Sequence, residues 1–212
     1  MDLQTVISDH QKWLEDRNTG CRADLRGRNL RGSDLRGSNL RGSDLSDSYL
    51  RGSDLSGSDL SGSDLSGSNL SNSNLRGSNL SGSDLSDSDL SGSDLSGSNL
   101  SSSDLRGSNL RGSDLSGSDL SGSNLSRVYG QTFITIGNIG SRNSSTIYHI
   151  ESDTIWCGCW RSNLVEFESR VHYIYGDEFY GLQYQSAIRF IKEQLAIKSL
   201  KHANSHLLIP VQ

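Results

Sequence analysis

From Leu25 to Leu125 a leucine stands at every fifth position, 21 in succession without an insertion or deletion. Ser lies two residues before each of them from position 33 onward, with Ala23 and Arg28 in that place in the first two units. Asp or Asn comes immediately before the leucine, Tyr49 being the one exception, and Ser or Arg immediately after it. Between successive leucines the fifth position is Gly except at Asp47, Asn72, Asp87 and Ser102. A period of five matches neither the 3.6 of a helix nor the 2 of a plain strand, so the tract reads as an internal repeat. This regularity overrides the composition. Only 32% of the residues are hydrophobic, and so much Ser, Gly and Asp ordinarily marks a chain that buries too little to offset its ordering entropy. In-phase leucines change that balance, because a fold that stacks the units buries them together, at roughly 1.5–3 kcal/mol each.

If each unit forms one side of a coil, the leucine and the small residue two before it point inward. Alternation along the chain then turns the Asp/Asn and the post-leucine residue outward. Small Ser beside large Leu lets a narrow section close without voids, and Gly at the fifth position suits a tight corner. The units resemble the pentapeptide repeat, A-(D/N)-L-x-x, with Ser in place of Ala. That resemblance implies a β-solenoid, a right-handed quadrilateral β-helix of about five coils with four units in each. Leucines twenty apart, such as Leu45, Leu65, Leu85 and Leu105, would then stack at the ~4.8 Å of paired strands. Up to 19 serine hydroxyls would face inward and must bond to backbone carbonyls or to one another. Arg28 interrupts the inward column and is expected to reach out at the rim of the first coil.

A stacked tube needs caps. Residues 1–20 contain Leu3, Val6, Ile7, His10, Trp13 and Leu14 at helical spacing, which predicts an N-terminal capping helix ahead of a β-helix over 21–127. Composition changes abruptly after Ser126, so 128–212 is expected to be a small C-terminal α+β module that caps or makes contacts. "QTFITIG", "STIYHIE" and "DTIWCGCW" read as three strands. "SNLVEFESRVHYIYG" reads as a helix with an Asn163–Glu166 capping box. "GLQYQSAIRFIKEQLAIKSL" reads as a longer helix with Leu182, Ala187, Ile188, Phe190, Ile191, Leu195 and Leu200 at helical spacing. The module is similar to the tails of some bacterial and phage pentapeptide proteins.

Little in the chain points to catalysis. Cys157 and Cys159 form C-x-C without a second pair. His149 and His172 complete a metal site less readily than the cysteines fill a core. No phosphate loop, dinucleotide fingerprint or zinc-protease helix is present, so no cofactor and no enzymatic activity are expected. The net charge of −5 disfavours direct contact with nucleic acid or an anionic membrane. The start "MDLQTVISDHQKW" lacks the pattern of a signal peptide, no apolar run approaches the ~20 residues of a membrane span, and three cysteines suit a reducing cytoplasm.

The repeat surface carries the functional expectation. With four units per coil, Asp24, Asp44, Asp64, Asp84 and Asp104 fall on one face, with Asp47 and Asp87 at the adjoining corner. Such a face resembles those of pentapeptide proteins of the quinolone-resistance and gyrase-protecting group. The resemblance implies imitation of DNA toward a DNA-binding protein such as DNA gyrase, another type II topoisomerase or a host-defence nuclease. Those relatives usually carry a projecting loop or a helical dimerisation tail, and no loop interrupts this repeat. The competing expectations are that Asp and Asn are simply what the turn uses, and that the tube is a scaffold whose module makes the protein contact or a homodimer through the C-terminal helices. Ice binding is disfavoured by charged outward positions and the lack of paired Thr columns.

Overall fold

The structure, a computed structural model, describes residues 2–140, 144–158 and 160–205. It divides into two compact units, residues 1–132 and 133–212.

The first unit opens with helix α1 (Leu3–Glu15), whose Val6 and His10 are buried. Two bonds fasten it to the first coil. The Cys21 N–H donates to the Asp9 carbonyl at 3.1 Å, and the Ala23 N–H donates to His10 Nδ1 at 3.1 Å. Gly20 immediately precedes them at φ +64°, where a Cβ would collide with the Asp9 carbonyl; only glycine fits that approach.

Parallel bridges then join each residue before a leucine to its counterpart twenty positions on, from Asp24↔Asp44 to Asn109↔Tyr129. A coil is therefore twenty residues, four units, and the bridges run two residues beyond position 127. Each side contributes a single bridged residue, yet its backbone is fully engaged. The Leu45 N–H donates to the Asp64 carbonyl at 2.7 Å, the Asp64 N–H to the Ser43 carbonyl at 3.0 Å, and the Gly57 N–H to the Arg76 carbonyl at 2.9 Å. Between sides, each leucine carbonyl accepts the N–H three residues on, as from Ser53 to Leu50 at 3.0 Å. The third residue of that turn has positive φ, 62–74° at the repeat glycines. This is the type II turn, and it explains why Gly recurs there.

All 21 leucines are 9% exposed or less, with Leu45, Leu65, Leu85 and Leu105 at 0%. Most of the inward serines use the turn itself. Ser53 and Ser83 donate their hydroxyls to Leu50 and Leu80 at 2.6 and 2.7 Å, the carbonyls that already accept their own N–H. The expected bonding between coils is seen at Ser73, which donates to the Leu50 carbonyl at 2.7 Å and lies 3.5 Å from Ser53. Ser43, Ser48, Ser58, Ser68 and Ser108 have no hydroxyl partner among the described residues. Arg28 is half-buried at the start of its column.

The second unit is a four-stranded antiparallel sheet in the order β1 (Phe133–Ile139), β2 (Ser144–His149), β3 (Thr154–Cys157), β4 (Trp160–Ser162). The "DTIWCGCW" segment thus makes two strands and not one: Gly158, at φ +61°, turns the chain after Cys157. Helices α2 (Leu164–Tyr175) and α3 (Phe179–Ser205) follow. Asn163 caps α2 by accepting the Glu166 N–H at 2.8 Å. Tyr148, Ile155, Cys157, Phe167, Val171, Tyr184, Ile188 and Ile191 form the core. The helical spacing in α3 conceals two destinations. Ala187, Ile188 and Ile191 are buried and Leu195 packs against the core, whereas Leu182, Phe190 and Leu200 are 52%, 45% and 64% exposed.

Candidate functional site: the aspartate column

Asp24, Asp44, Asp64, Asp84 and Asp104 are joined successively by the bridges, ending at Asn124. They therefore rise as one column at ~4.8 Å intervals. Each accepts the N–H two residues on through Oδ1, as Asp64 does from Ser66 and Asp84 from Ser86, both at 2.9 Å. Asx capping of this kind satisfies the turn amide. Asn performs it equally: Asn69 accepts from Ser71 at 3.1 Å and Asn99 from Ser101 at 3.0 Å. The turn thus requires one side-chain oxygen, and the second atom, carboxylate oxygen or amide nitrogen, is what the face displays.

The faces differ in that second atom. On the next side stand Asn29, Tyr49, Asn69, Asp89 and Asn109, and there the Asn109 amide donates to Asp89 at 3.1 Å. Another side has the Asn79 amide donating to Asp59 at 3.2 Å. Where Asn stands twenty residues beyond Asp, as at Asn79 and Asn109, repulsion gives way to a hydrogen bond; the side with Asp34, Asp54, Asp94 and Asp114 is interrupted by Asn74, and the column from Asp24 to Asp104 has no interruption. Arginines flank its ends. Arg26 holds Asp24 at 2.6 Å and reaches Asp44 at 3.5 Å, and Arg106 lies 3.5 Å from Asp104. The Arg26 guanidinium, helped by its backbone N–H, lowers the Asp24 carboxyl to about 2. Among the described residues no Lys or Arg pairs with Asp64 or Asp84.

Asp47 and Asp87 occupy the corner beside this column at φ 56° and 57°. They alternate with Gly27, Gly67 and Gly107 at the same corner. A Cβ on Gly67 would lie 2.5 Å from Asp47 Oδ1, so the side chain of each corner aspartate occupies the space over the next coil's glycine. Each of the four non-glycine corners between Leu25 and Leu125, Asp47, Asn72, Asp87 and Ser102, is followed twenty residues on by glycine.

The sequence motif thus takes a definite geometry: a twenty-residue coil, a leucine interior and a capped Asp/Asn exterior. The pentapeptide-repeat model matches residues 22–57, 53–92 and 88–127, eight copies. The chain belongs to the pentapeptide-repeat family. Its fold is accordingly the right-handed quadrilateral β-helix. Among solved pentapeptide-repeat structures, HetL of the cyanobacterium Nostoc sp. strain PCC 7120, involved in heterocyst differentiation regulation, is 29% identical. That match covers 51% of this chain and 62% of HetL, with a TM-score of 0.37. Rfr23 of the cyanobacterium Cyanothece 51142 is 26% identical over 56% of this chain and 94% of its own, TM-score 0.43. A trypsin-treated form of QnrB1, a plasmid-mediated fluoroquinolone resistance protein, is 19% identical over 50% and 69%, TM-score 0.40. No curated protein sequence matches the chain. The module from 133 onward lies outside the family match.

Several of the module's polar groups are occupied locally, although Trp156 Nε1 and Ser162 Oγ are buried with no partner among the described residues. Cys157 lies in the core with Thr146 Oγ1 donating to its sulfur at 3.2 Å, while Cys159 lies outside the described residues. His172 is exposed, and among the described residues no His/Cys/Asp/Glu group is placed to hold a metal. A cluster the sequence did not single out surrounds His149. Its Nδ1 is 2.7 Å from Ser152 Oγ and its Nε2 3.1 Å from Glu151, which also receives Lys198 of α3 at 3.1 Å. Burial lowers the imidazole below its usual range, and Lys198 adds to that against the opposing Glu151. The cluster closes the β2–β3 turn and ties it to α3. Among the described residues no helix is long and apolar enough to cross a membrane.

Proposed function

We propose that this is a non-enzymatic binding protein whose aspartate face engages a DNA-handling protein, a type II topoisomerase or a host-defence nuclease, by standing in for duplex phosphate. One observation carries the reading: the turn is satisfied by Asn as well as Asp, so five stacked aspartates are a choice about the surface. Seven carboxylates, with Asp47 and Asp87 included, less the two terminal arginines, amount to roughly one net charge per 4 Å over ~19 Å of column. A DNA strand presents about one per 3.4 Å. No other side carries five aspartates without an Asn or Tyr among them, so the contact is assigned to this face.

A supercoiling assay with a type II topoisomerase tests the reading. The expected result is inhibition by the native protein, at least about tenfold weaker in the Asp44→Asn/Asp64→Asn/Asp84→Asn variant. Absence of inhibition, or inhibition that the triple variant keeps, rejects imitation of DNA by this face toward that enzyme; a nuclease-protection assay with the same pair of proteins applies the criterion to the alternative partner. A second reading, the tube as spacer and the module as the contact, is favoured by the apolar residues that α3 leaves in solvent.

A further inference from the structure

Helix α3 has two apolar faces. Tyr184, Ala187, Ile188 and Ile191 point into the core. At about 100° per residue, Phe179, Leu182, Phe190, Ile197 and Leu200 lie along the opposite side, and each is at least 45% exposed. Ser186 and Glu193 complete the same line. The Ser186 hydroxyl is turned back onto the Leu182 carbonyl at 2.9 Å, so the stripe stays smooth there. An apolar stripe some 30 Å long is more than a soluble chain ordinarily leaves in water.

The spacing of the stripe is symmetric. Phe179 and Leu200 are equidistant from the midpoint between Arg189 and Phe190; so are Leu182 and Ile197, and so are Ser186 and Glu193. A groove for an unrelated partner has no need of such symmetry, whereas an isologous contact demands it. Building on the module-as-contact reading, we propose that the stripe binds a second copy of this chain, the two α3 helices lying antiparallel about a twofold axis at Arg189–Phe190. Phe179 then packs on the other copy's Leu200 and Leu182 on its Ile197, while small Ser186 makes room opposite Glu193. Arg189 of each copy comes within one turn of Glu193 of the other. A parallel pairing would set Glu193 against Glu193 and Arg189 beside Arg189, so charge selects the antiparallel arrangement.

Sedimentation of the full chain at micromolar concentration should give twice the 23.1 kDa of one copy. Leu182→Glu/Ile197→Glu, both at exposed positions, should weaken association at least about 100-fold while leaving the circular dichroism spectrum unchanged. In a Cys21→Ser/Cys159→Ser background, Phe190→Cys at the axis should form a disulfide with itself. Phe179→Cys should fail to do so alone and should link when mixed with Leu200→Cys. A monomeric native chain, a dimer that survives the double glutamate variant, or self-linking of Phe179→Cys overturns the proposal. A lysate pull-down separates it from the reading beneath it. Capture lost in the glutamate variant of a monomeric chain leaves the module as the contact and rejects the dimer; a dimer that forms as described while capture is unaffected by the variant rejects the module as the partner contact.

Discussion

Replacing Asp64 by Asn should make the protein more stable and less active. Asp64 has a carboxylate neighbour above and below, Asp84 and Asp44. At ~4.8 Å in a water-like dielectric each pair repels by ~0.9 kcal/mol, and screening at physiological salt roughly halves that, leaving ~1 kcal/mol for the two. Asn keeps the cap on Ser66, because the cap uses one oxygen. It also brings an amide able to donate to Asp44, as Asn79 donates to Asp59 at 3.2 Å, for a further ~0.5 kcal/mol. The expected gain is thus roughly 1–2 kcal/mol at 0.15 M salt. At 1 M salt, where the Debye length is ~3 Å, the repulsive part shrinks to ~0.3 kcal/mol. Urea unfolding followed by circular dichroism at several salt concentrations measures both, with the binding assay run beside it. A variant that is neutral or destabilised at low salt, or whose gain ignores salt, would refute the reasoning, for the column would then carry no strain that function has to justify.

Three further outcomes are expected. Gly62→Ala and Gly67→Ala both place a Cβ at φ near +62°, at ~1 kcal/mol, but only Gly67→Ala meets Asp47; its melting point should be lower, and Asp47→Gly should recover the difference. Burial lowers the His10 pKa below 6.5, so the folded state binds fewer protons than the unfolded one. Stability from α1 docking is complete above about pH 6.5 and is lost as the pH falls below it, visible as falling protection of the Ala23 amide, whose acceptor is Nδ1. Leu85→Ala, at a fully buried position, should cost about 2–5 kcal/mol in urea unfolding; a cost below 1 kcal/mol would mean that the interior is not packed.

The repeat made the tube legible because its period is incompatible with any other regular element, and the phase alone assigns interior, exterior and corner. The aspartate column followed by arithmetic once a coil was twenty residues. What the pattern concealed was the division of labour within each Asp: one oxygen held by the turn, one free. That appears only when Asp64 and Asn69 are seen capping in the same way. In the module, short range decided. Trp160–Ser162 is too brief a strand to carry a periodicity. In α3 the apolar positions of two opposite faces add up to one helical signal, so Leu182 and Phe190 read like Ile188 and Ile191 although they point the other way.

Stacking has a consequence for how such a chain can change length. The interior counts residues in fives and the exterior in twenties. Excision of one unit between Leu65 and Leu85 would set every later leucine back over a leucine, yet rotate Asp84 and Asp104 a quarter turn onto the neighbouring side. Such a protein would fold as before and have its acidic stripe cut in two, whereas loss of a whole coil would only shorten it.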